Sequence, residues 1–266
     1  MRALILAAGQ GTRLAPLTND RPKCLVEIGA KSLLDHQLTT MATVGITDVT
    51  ILTGYRADMI ETLGHPTVHN REFASSNMVH TLFCARHLRD GVTDLIISYG
   101  DIVYRPRILE ALSSCAAPVC VVTDREWRRY WEIRMDDPLG DAETLKLDGR
   151  GSIDELGKKP KDYNDIQGQY IGLIKIRSDQ VRPLVEAYEG MDDEALYDGR
   201  TRTQMYMTSF IQHLIDDDWQ VQSVPVSNGW LEVDSYSELM TYRKMYSQGT
   251  LSEYWSPEFD IEQKTK

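Results

Sequence analysis

The N-terminal segment, residues 3–28, combines glycines and basic side chains in an order that is typical of a phosphate-binding site. An apolar run at residues 3–6 leads into the turn GQGTR at residues 9–13, and Lys23 follows in the segment RPK. Glycines after a buried strand let the backbone approach a ligand closely, and successive free N–H groups there form a concave anion site. Arg13 and Lys23 supply the full positive charges that a polyphosphate requires. The sequence therefore predicts a nucleoside-triphosphate site at the start of the chain.

The spacing of these residues fits neither of the two common phosphate-binding loops. A Walker loop places its lysine directly after the second glycine, whereas Lys23 lies far beyond Gly11. A dinucleotide-binding fingerprint needs a third glycine where this chain has Leu14. The whole string LAAGQGTRL, followed by RPK, instead resembles the signature of the sugar-nucleotidyltransferase superfamily. Arg21 departs from the first lysine of the usual K-P-K element.

This resemblance implies that an acceptor phosphate attacks the α-phosphorus of a nucleoside triphosphate and that pyrophosphate leaves. Arg13 is then expected to stabilise the leaving pyrophosphate, and Lys23 to bridge the α-phosphate and the attacking acceptor phosphate. The acceptor phosphate is already an anionic nucleophile, so none of the six dispersed histidines is needed as a general base. Residues expected around the nucleotide are Leu6, Ala7, Ala8, Gly9, Gly11, Thr12 and Gly100.

Two carboxylates at the ends of apolar strands could hold a divalent cation. Asp101 ends LIISYGD and Asp234 ends WLEVD, with Glu232 two residues earlier on the same strand face. An aspartate in such a position often only caps the next helix, and Asp234 also fits that role. Superfamily members, however, place metal-binding acidic residues in a G-D pair after the fourth strand and in a late W-x-[DE]-[IV]-D strand. The resemblance therefore predicts Mg²⁺ at Asp101 and Asp234, assisted by Glu232.

The segment NREFASSNMVHTLFCA, residues 70–85, resembles part of the bacterial choline-phosphate cytidylyltransferases. In that group the polar turn lies beside the cytosine, which implies that Ser76 and Asn77 contact the base. Asn77 could equally be the N-cap of the following helix. The turn GYRA at residues 54–57 resembles a turn of the same group. Together these matches predict CTP rather than UTP or dTTP as the nucleotide.

The acceptor is expected to bind the polar stretch 127–161 and the helix near 203–217. The segment ELGKKP, residues 155–160, resembles an E-K-P element whose lysine contacts the acceptor phosphate, which implies that role for Lys159; a solvated lysine pair is the alternative. Aromatic and acidic side chains could surround a cationic group, although such aromatics are more often core. The candidates are Trp127, Trp131, Glu132, Tyr170, Tyr206 and Trp230.

Arg134, with Arg128 and Arg129, indicates a carboxylate or second anion on the acceptor. These features predict a small phosphorylated zwitterion such as phosphoglutamine, phosphocholine or an aminoalkylphosphonate. The chain as a whole resembles the capsular phosphoglutamine cytidylyltransferases, which implies a precursor for a surface polymer. Two alternatives stay open. One is a hexose-1-phosphate nucleotidyltransferase, and the other is a catalytically silent regulatory subunit, which would be expected to lack residues such as Arg13 or Asp101.

Composition narrows the possible partners. The formal net charge of −11 argues against a nucleic-acid partner. No apolar run approaches the roughly 20 residues of a membrane span. The four cysteines lack metal-ligand spacing and are expected to be reduced thiols, since no signal peptide is evident. We therefore expect a cytoplasmic protein without a membrane partner, whose oligomeric state the sequence does not fix.

Apolar strands that alternate with helical segments predict an α/β fold with a doubly wound, mostly parallel sheet. A small β-rich acceptor-binding insert, with a hairpin at residues 148–151, is expected after the fifth strand. We predict one Rossmann-like nucleotidyltransferase domain over residues 1–250, followed by a tail at 251–266. Its nucleotide-binding half is residues 1–124 and its acceptor-binding half is residues 125–250. Predicted strands are 3–6, 48–54, 67–70, 95–101, 118–124, 171–176, 221–226 and 230–234; predicted helices are 32–43, 57–64, 77–88, 105–115, 203–217 and 235–247.

Overall fold

The structure is a computed structural model that describes residues 1–86 and 90–256. The strands in these ranges are β1 (Arg2–Ala7), β2 (Glu27–Ile28), β3 (Lys31–Ser32), β4 (Asp48–Thr53), β5 (Thr67–His69), β6 (Leu95–Tyr99), β7 (Ile102–Tyr104), β8 (Val119–Asp124), β9 (Leu145–Leu147), β10 (Ile153–Leu156), β11 (Gln169–Ile176), β12 (Val221–Val226) and β13 (Trp230–Glu232). The helices are α1 (Leu33–Thr43), α2 (Ala57–Glu61), α3 (Met78–Phe83), α4 (Pro106–Ser114), α5 (Trp127–Arg134), α6 (Pro138–Asp141), α7 (Val181–Glu189), α8 (Met207–Asp216) and α9 (Tyr236–Ser247).

A seven-stranded sheet with the order β12-β8-β11-β6-β1-β4-β5 forms the centre of the protein. Its neighbouring strands are parallel except that β11 runs antiparallel to both β6 and β8. Side chains of β1 alternate between two buried clusters, one lined by α1, α4, α5 and α9 and the other by α3, α7 and α8. Both faces are therefore covered, as the near-continuous apolar strands require. The predicted doubly wound, mostly parallel sheet is confirmed.

A short antiparallel pair outside the central sheet brings two distant segments together. Strand β13 pairs with β7, with Glu232 opposite Ile102, and the Val233 amide donates to the Asp101 carbonyl at 3.0 Å. The predicted strand 95–101 is divided in the structure, because the chain turns at Gly100 and continues as β7. This turn places Asp101 beside the end of β13.

The insert contains the predicted hairpin, formed by β9 and β10, but it also contains helices that the sequence analysis missed. Trp127, Tyr130, Trp131 and Arg134 follow the i, i+3, i+4, i+7 period of a helix, and α5 buries this face. Helix α7 was also missed. The predicted helix 203–217 begins only at Met207. The predicted helix 77–88 ends at Phe83 as α3, and its residues 87 and 88 lie outside the described residues.

The pairing of the cysteines differs from the expectation. Cys115 and Cys120 form a disulfide between the end of α4 and β8, so the expectation of reduced thiols was wrong for this pair, while Cys24 and Cys84 are free. The first tail residues belong to the core, since Trp255 is buried and packs edge-on against His36.

No helix in the described ranges is both long and apolar enough to cross a membrane.

Candidate active site

The glycine turn lies directly after β1 and packs against Lys23. Gly11 has a φ of 73°, and a Cβ added there would lie 2.8 Å from the Cβ of Lys23. The Gly11 carbonyl accepts a hydrogen bond from the buried Thr18 hydroxyl at 2.8 Å. Only glycine combines this backbone conformation with such a close approach. The turn therefore holds the aliphatic part of Lys23 in a fixed course towards the site.

A cavity opens where β1 and β6 end. Gly100 closes one side because its amide donates to the Leu6 carbonyl at 2.9 Å, and an added Cβ would lie 2.6 Å from that oxygen. Gly11 and Thr12 do not line the cavity. Tyr99 and Phe73 do, although the sequence analysis did not select them, because only the tertiary fold brings their rings there. The lining residues are Leu6, Ala7, Ala8, Gly9, Lys23, Cys24, Phe73, Ser76, Asn77, Met78, Thr81, Tyr99, Gly100 and Asp101.

The polar turn before α3 is structured by its own hydrogen bonds. The Asn77 side chain accepts from the Met78 amide at 2.8 Å and so caps α3, as the alternative interpretation of the sequence expected. The Ser76 hydroxyl donates to the Glu72 carbonyl at 2.8 Å and accepts from Asn70 at 3.0 Å. Both residues also line the cavity. Capping and a position beside a ligand are therefore compatible here.

Lys23 lies between two carboxylates at the mouth of this cavity. Its Nζ is 2.7 Å from Oδ2 of Asp101 and 2.8 Å from Oδ1 of Asp234, and Nη2 of the exposed Arg13 is 2.6 Å from Oδ2 of Asp234. Burial lowers the pKa of Lys23, but the carboxylates of Asp101, Asp234 and Glu232 outweigh this effect and raise the pKa above its ordinary value. Lys23 is therefore a charged ammonium group.

The acidic side chains Asp101, Glu232 and Asp234 form one cluster. Each contributes an oxygen within 4.8 Å of the others, an arrangement that could hold a metal ion. Oδ1 of Asp101 is buried and has no hydrogen-bond partner among the described residues. Burial raises the pKa of Glu232 to about 7, whereas Lys23 overcomes the effect of burial on Asp234 and lowers its pKa. The cluster therefore offers hard oxygen ligands, one of them free to bind.

Arg134 holds the Glu232 carboxylate of this cluster and does not line the cavity. Its guanidinium is 1% exposed, stacks on the rings of Tyr130 and Trp131, and is 2.7 Å from both Glu232 and Glu238. Glu238 in turn accepts from the Asp234 amide at 2.9 Å. The prediction that Arg134 contacts the acceptor is therefore corrected: in this structure its partners are the carboxylates that fix the end of β13.

Three other predicted acceptor residues are also separate from the cavity. Trp131 and Trp230 are core side chains whose indole N–H groups donate to Asp141 and Asp124 at 3.0 and 2.8 Å. Glu132 is exposed and pairs with Arg128 one helical turn away, at 3.2 Å. None of the three lines the cavity, so we leave them out of the proposed site.

Lys159, Tyr170 and Tyr206 are the remaining residues predicted to bind the acceptor. Lys159 is exposed and its ammonium donates to the carbonyls of Leu139 and Gly140. The ring of Tyr170 packs edge-on against Tyr99, with centroids 5.7 Å apart. Tyr206 is 42% exposed and its hydroxyl accepts from Arg200 at 2.8 Å. These three positions remain compatible with contact to an acceptor.

A glycine turn after the first strand of a doubly wound sheet, facing a lysine and a carboxylate cluster, defines a nucleotidyltransferase. The chain belongs to the MobA-like NTP transferase domain family, which matches residues 3–201. It is 39% identical over 249 residues to the CTP:phosphoglutamine cytidylyltransferase of Campylobacter jejuni subsp. jejuni, a match that covers 90% of this chain and 98% of that relative. The superfamily predicted from the sequence is thereby confirmed.

Two solved structures share the fold. The CTP:phosphocholine cytidylyltransferase of Streptococcus pneumoniae superposes with a TM-score of 0.68 at 19% identity, covering 92% of this chain and 98% of that one. The inositol-1-phosphate CTP transferase of T. maritima superposes with a TM-score of 0.71 at 18% identity, covering 96% and 97%. At these identities the likeness supports the architecture alone.

Proposed function

We propose that this protein is a CTP-dependent cytidylyltransferase that transfers CMP to a small phosphorylated zwitterion and releases pyrophosphate. The observation that carries the proposal is the position of Lys23, whose ammonium joins Asp101 and Asp234 at the mouth of the cavity. A cation at this point can contact both the α-phosphate and an attacking phosphate. The match to the CTP:phosphoglutamine cytidylyltransferase, at 39% identity over 98% of that relative, favours CTP and a phosphoglutamine-type acceptor.

The base and sugar of CTP are assigned to the cavity between the glycine turn and the N-terminus of α3. Leu6, Ala7, Ala8 and Gly9 supply backbone on one side, and Ser76 and Asn77 supply polar side chains on the other. Gly100 leaves room for the backbone of β1. Gly11 and Thr12 act indirectly by shaping the turn against Lys23. This division leaves the phosphates at the open end, beside Arg13 and Lys23.

Asp101, Asp234 and Glu232 are the proposed ligands of Mg²⁺. Carboxylate oxygens are the donors that Mg²⁺ prefers, and the free, buried Oδ1 of Asp101 fits such a ligand. A bound Mg²⁺ would neutralise phosphate charge and help to align the reacting groups. Arg134 keeps Glu232 in place and favours its ionised form, which is the form that binds a cation.

In the proposed reaction an oxygen of the acceptor phosphate forms a bond to the α-phosphorus of CTP, and the bond to the bridging oxygen of pyrophosphate breaks. Lys23 balances the charge of the two groups that meet, and Arg13 balances that of the leaving pyrophosphate. Lys159, Tyr170 and Tyr206 hold the acceptor.

The division into halves at residues 124 and 125, the cytoplasmic location and a role in a surface polymer stay predictions.

Pyrophosphate release tests the proposal most directly. Each of the four NTPs is assayed with Mg²⁺ against phosphoglutamine, phosphocholine, 2-aminoethylphosphonate and glucose-1-phosphate. We expect turnover with CTP and an amine-bearing acceptor. Turnover with glucose-1-phosphate alone would instead identify a hexose-1-phosphate nucleotidyltransferase. Tight nucleotide binding without turnover on any acceptor would identify a regulatory subunit.

A further inference from the structure

We propose that Glu143 binds the cationic nitrogen of the acceptor and thereby selects acceptors that carry such a nitrogen over acceptors that lack it. The inference rests on the proposed function, because it concerns the acceptor side of the same site. The sequence motifs did not suggest Glu143; its case rests on its position, its burial and the lack of a cationic partner among the described residues. It replaces the buried tryptophans as the group that recognises a positive charge.

The backbone of Glu143 is held rigidly at the entrance to β9. The buried side chain of Gln169 brackets it: the Glu143 amide donates to Oε1 of Gln169 at 3.1 Å, and Nε2 of Gln169 donates to the Glu143 carbonyl at 2.6 Å. The residue after Gln169 is Tyr170. This double hydrogen bond therefore fixes the backbone of Glu143 next to the start of β11, a strand at the centre of the sheet.

Two tyrosines connect Glu143 with the nucleotide cavity. Tyr170 packs edge-on against Tyr99, and Tyr99 lines the cavity two residues before Asp101. Burial raises the pKa of both phenols, and the carboxylates of Glu143 and Asp101 each raise it further. Both carboxylates therefore lie near this pair of tyrosines, Glu143 on the side of the insert and Asp101 at the cavity.

Glu143 lacks the counter-cation that a carboxylate in such a place normally has. Over residues 1–86 and 90–256 the groups that act on its charge are its own burial, the acidic Asp141 and Asp198, and the side chain of Thr208; no basic side chain is among them. The Tyr170 hydroxyl is likewise buried, and the described residues offer it no cation. A half-buried carboxylate among like charges is unfavourable unless a cation joins it.

A positive and a negative group thus lie in the same region of the insert. Lys159 donates to the carbonyls of Leu139 and Gly140, immediately before Asp141 and close in sequence to Glu143. Its ammonium suits the acceptor phosphate, while the carboxylate of Glu143 and the ring of Tyr170 suit an ammonium group. A single carboxylate beside an aromatic ring fits an organic cation better than a metal ion, which would require several oxygen ligands. The two groups together match a zwitterion.

The test compares each acceptor that carries a cationic nitrogen with an isostere that lacks it. The pairs are phosphocholine with 3,3-dimethylbutyl phosphate, phosphoethanolamine with propyl phosphate, and phosphoglutamine with its deaminated analogue. For the best acceptor that carries a cationic nitrogen, we expect the wild type to show a KM roughly 10- to 100-fold lower than for its isostere. Glu143→Gln should reduce this ratio to within about twofold of unity, mainly by raising the KM of the charged acceptor, while the KM of CTP stays unchanged. Glu143→Asp, which keeps the charge, should restore part of the preference.

Glu186→Gln, an exposed carboxylate on α7, is the matched control and should retain the wild-type ratio. The inference is wrong if the wild type does not distinguish acceptors with a cationic nitrogen from their isosteres. This measurement uses only the wild type, so it does not depend on the folding of any variant. It is also wrong if Glu143→Gln keeps the full preference. Either result leaves CTP-dependent pyrophosphate release in place, so it differs from failure of the proposed function, in which the wild type would release no pyrophosphate with CTP.

Discussion

Replacing Lys23 with methionine should strengthen metal binding by the nucleotide-free protein while abolishing turnover. The ammonium of Lys23 is 2.7 Å from Asp101 and 2.8 Å from Asp234, which are two of the three carboxylates proposed to bind Mg²⁺. An added divalent cation must therefore displace the lysine from these oxygens. Methionine keeps much of the aliphatic volume that packs against Gly11 but cannot compete for the carboxylates.

The magnitude follows from the two ion pairs. Two unit charges about 4 Å apart attract by about 4 kcal/mol at an effective dielectric constant of about 20, so the two pairs amount to a gross attraction of about 8 kcal/mol. Most of this is recovered when the displaced ammonium moves to phosphate or water. A hydrogen bond to a charged group contributes about 1.5–3 kcal/mol net, so we take a net cost of about 2 kcal/mol, which weakens metal binding roughly 30-fold. We expect Lys23→Met to raise the affinity by about that factor.

Titration of the apo protein with Mn²⁺, followed by the electron paramagnetic resonance signal of free Mn²⁺, measures this change. Arg13→Met is the graded control, because Arg13 also pairs with Asp234 but its side chain is 70% exposed. Exposed ion pairs contribute roughly 0–1 kcal/mol, so this variant should change the affinity by at most about fivefold. Weaker Mn²⁺ binding by a correctly folded Lys23→Met protein would refute the reasoning and show that Lys23 organises the carboxylates.

Three further predictions concern single positions. Asp101→Asn should abolish pyrophosphate release without lowering the melting temperature, and retained activity would place the metal ion elsewhere. Gly11→Ala should lower kcat and stability more than Gly45→Ala does, because both glycines have positive φ but only at Gly11 would the added Cβ meet another residue; equal losses of unfolding free energy would contradict this. Glu143 has its pKa raised by burial from 4.5 to about 6, so its ionisation opposes folding. Glu143→Gln should therefore stabilise the protein by about 2 kcal/mol well above pH 6, and this gain should vanish below pH 4.5. Urea unfolding of both proteins on either side of this range measures the difference in the free energy of unfolding.

The local motifs made much of the fold, and the residues that meet around Lys23, predictable. The glycine turn, Lys23, Asp101 and Asp234 are defined by short spacings after apolar strands, and the structure brings the lysine and both aspartates into contact. Their chemical roles stay predictions until they are assayed. The β7–β13 pairing that unites Asp101 with Asp234 joins segments far apart in sequence, which no local pattern specifies.

The acceptor side was less predictable because charge and aromaticity alone do not reveal which way a side chain faces. The helical period from Trp127 to Arg134 could have indicated that Arg134 shares a face with two buried aromatics. Burial of an arginine on such a face is favourable only with carboxylate partners, here Glu232 and Glu238. The bracket that Gln169 forms around Glu143 depends wholly on tertiary structure, so no sequence signal could have identified it.

Formal charges within the cluster explain why a divalent cation suits this site. Four carboxylates (Asp101, Glu232, Asp234 and Glu238) and three cations (Arg13, Lys23 and Arg134) give four negative and three positive charges, a net charge of −1 when all are ionised. A site of that charge repels a triphosphate. One bound divalent cation would change the sum to +1, and Lys23 would then be free to leave its carboxylates for phosphate. Metal binding and nucleotide binding are therefore expected to be cooperative, with Lys23 becoming available to phosphate only when the carboxylates have another partner.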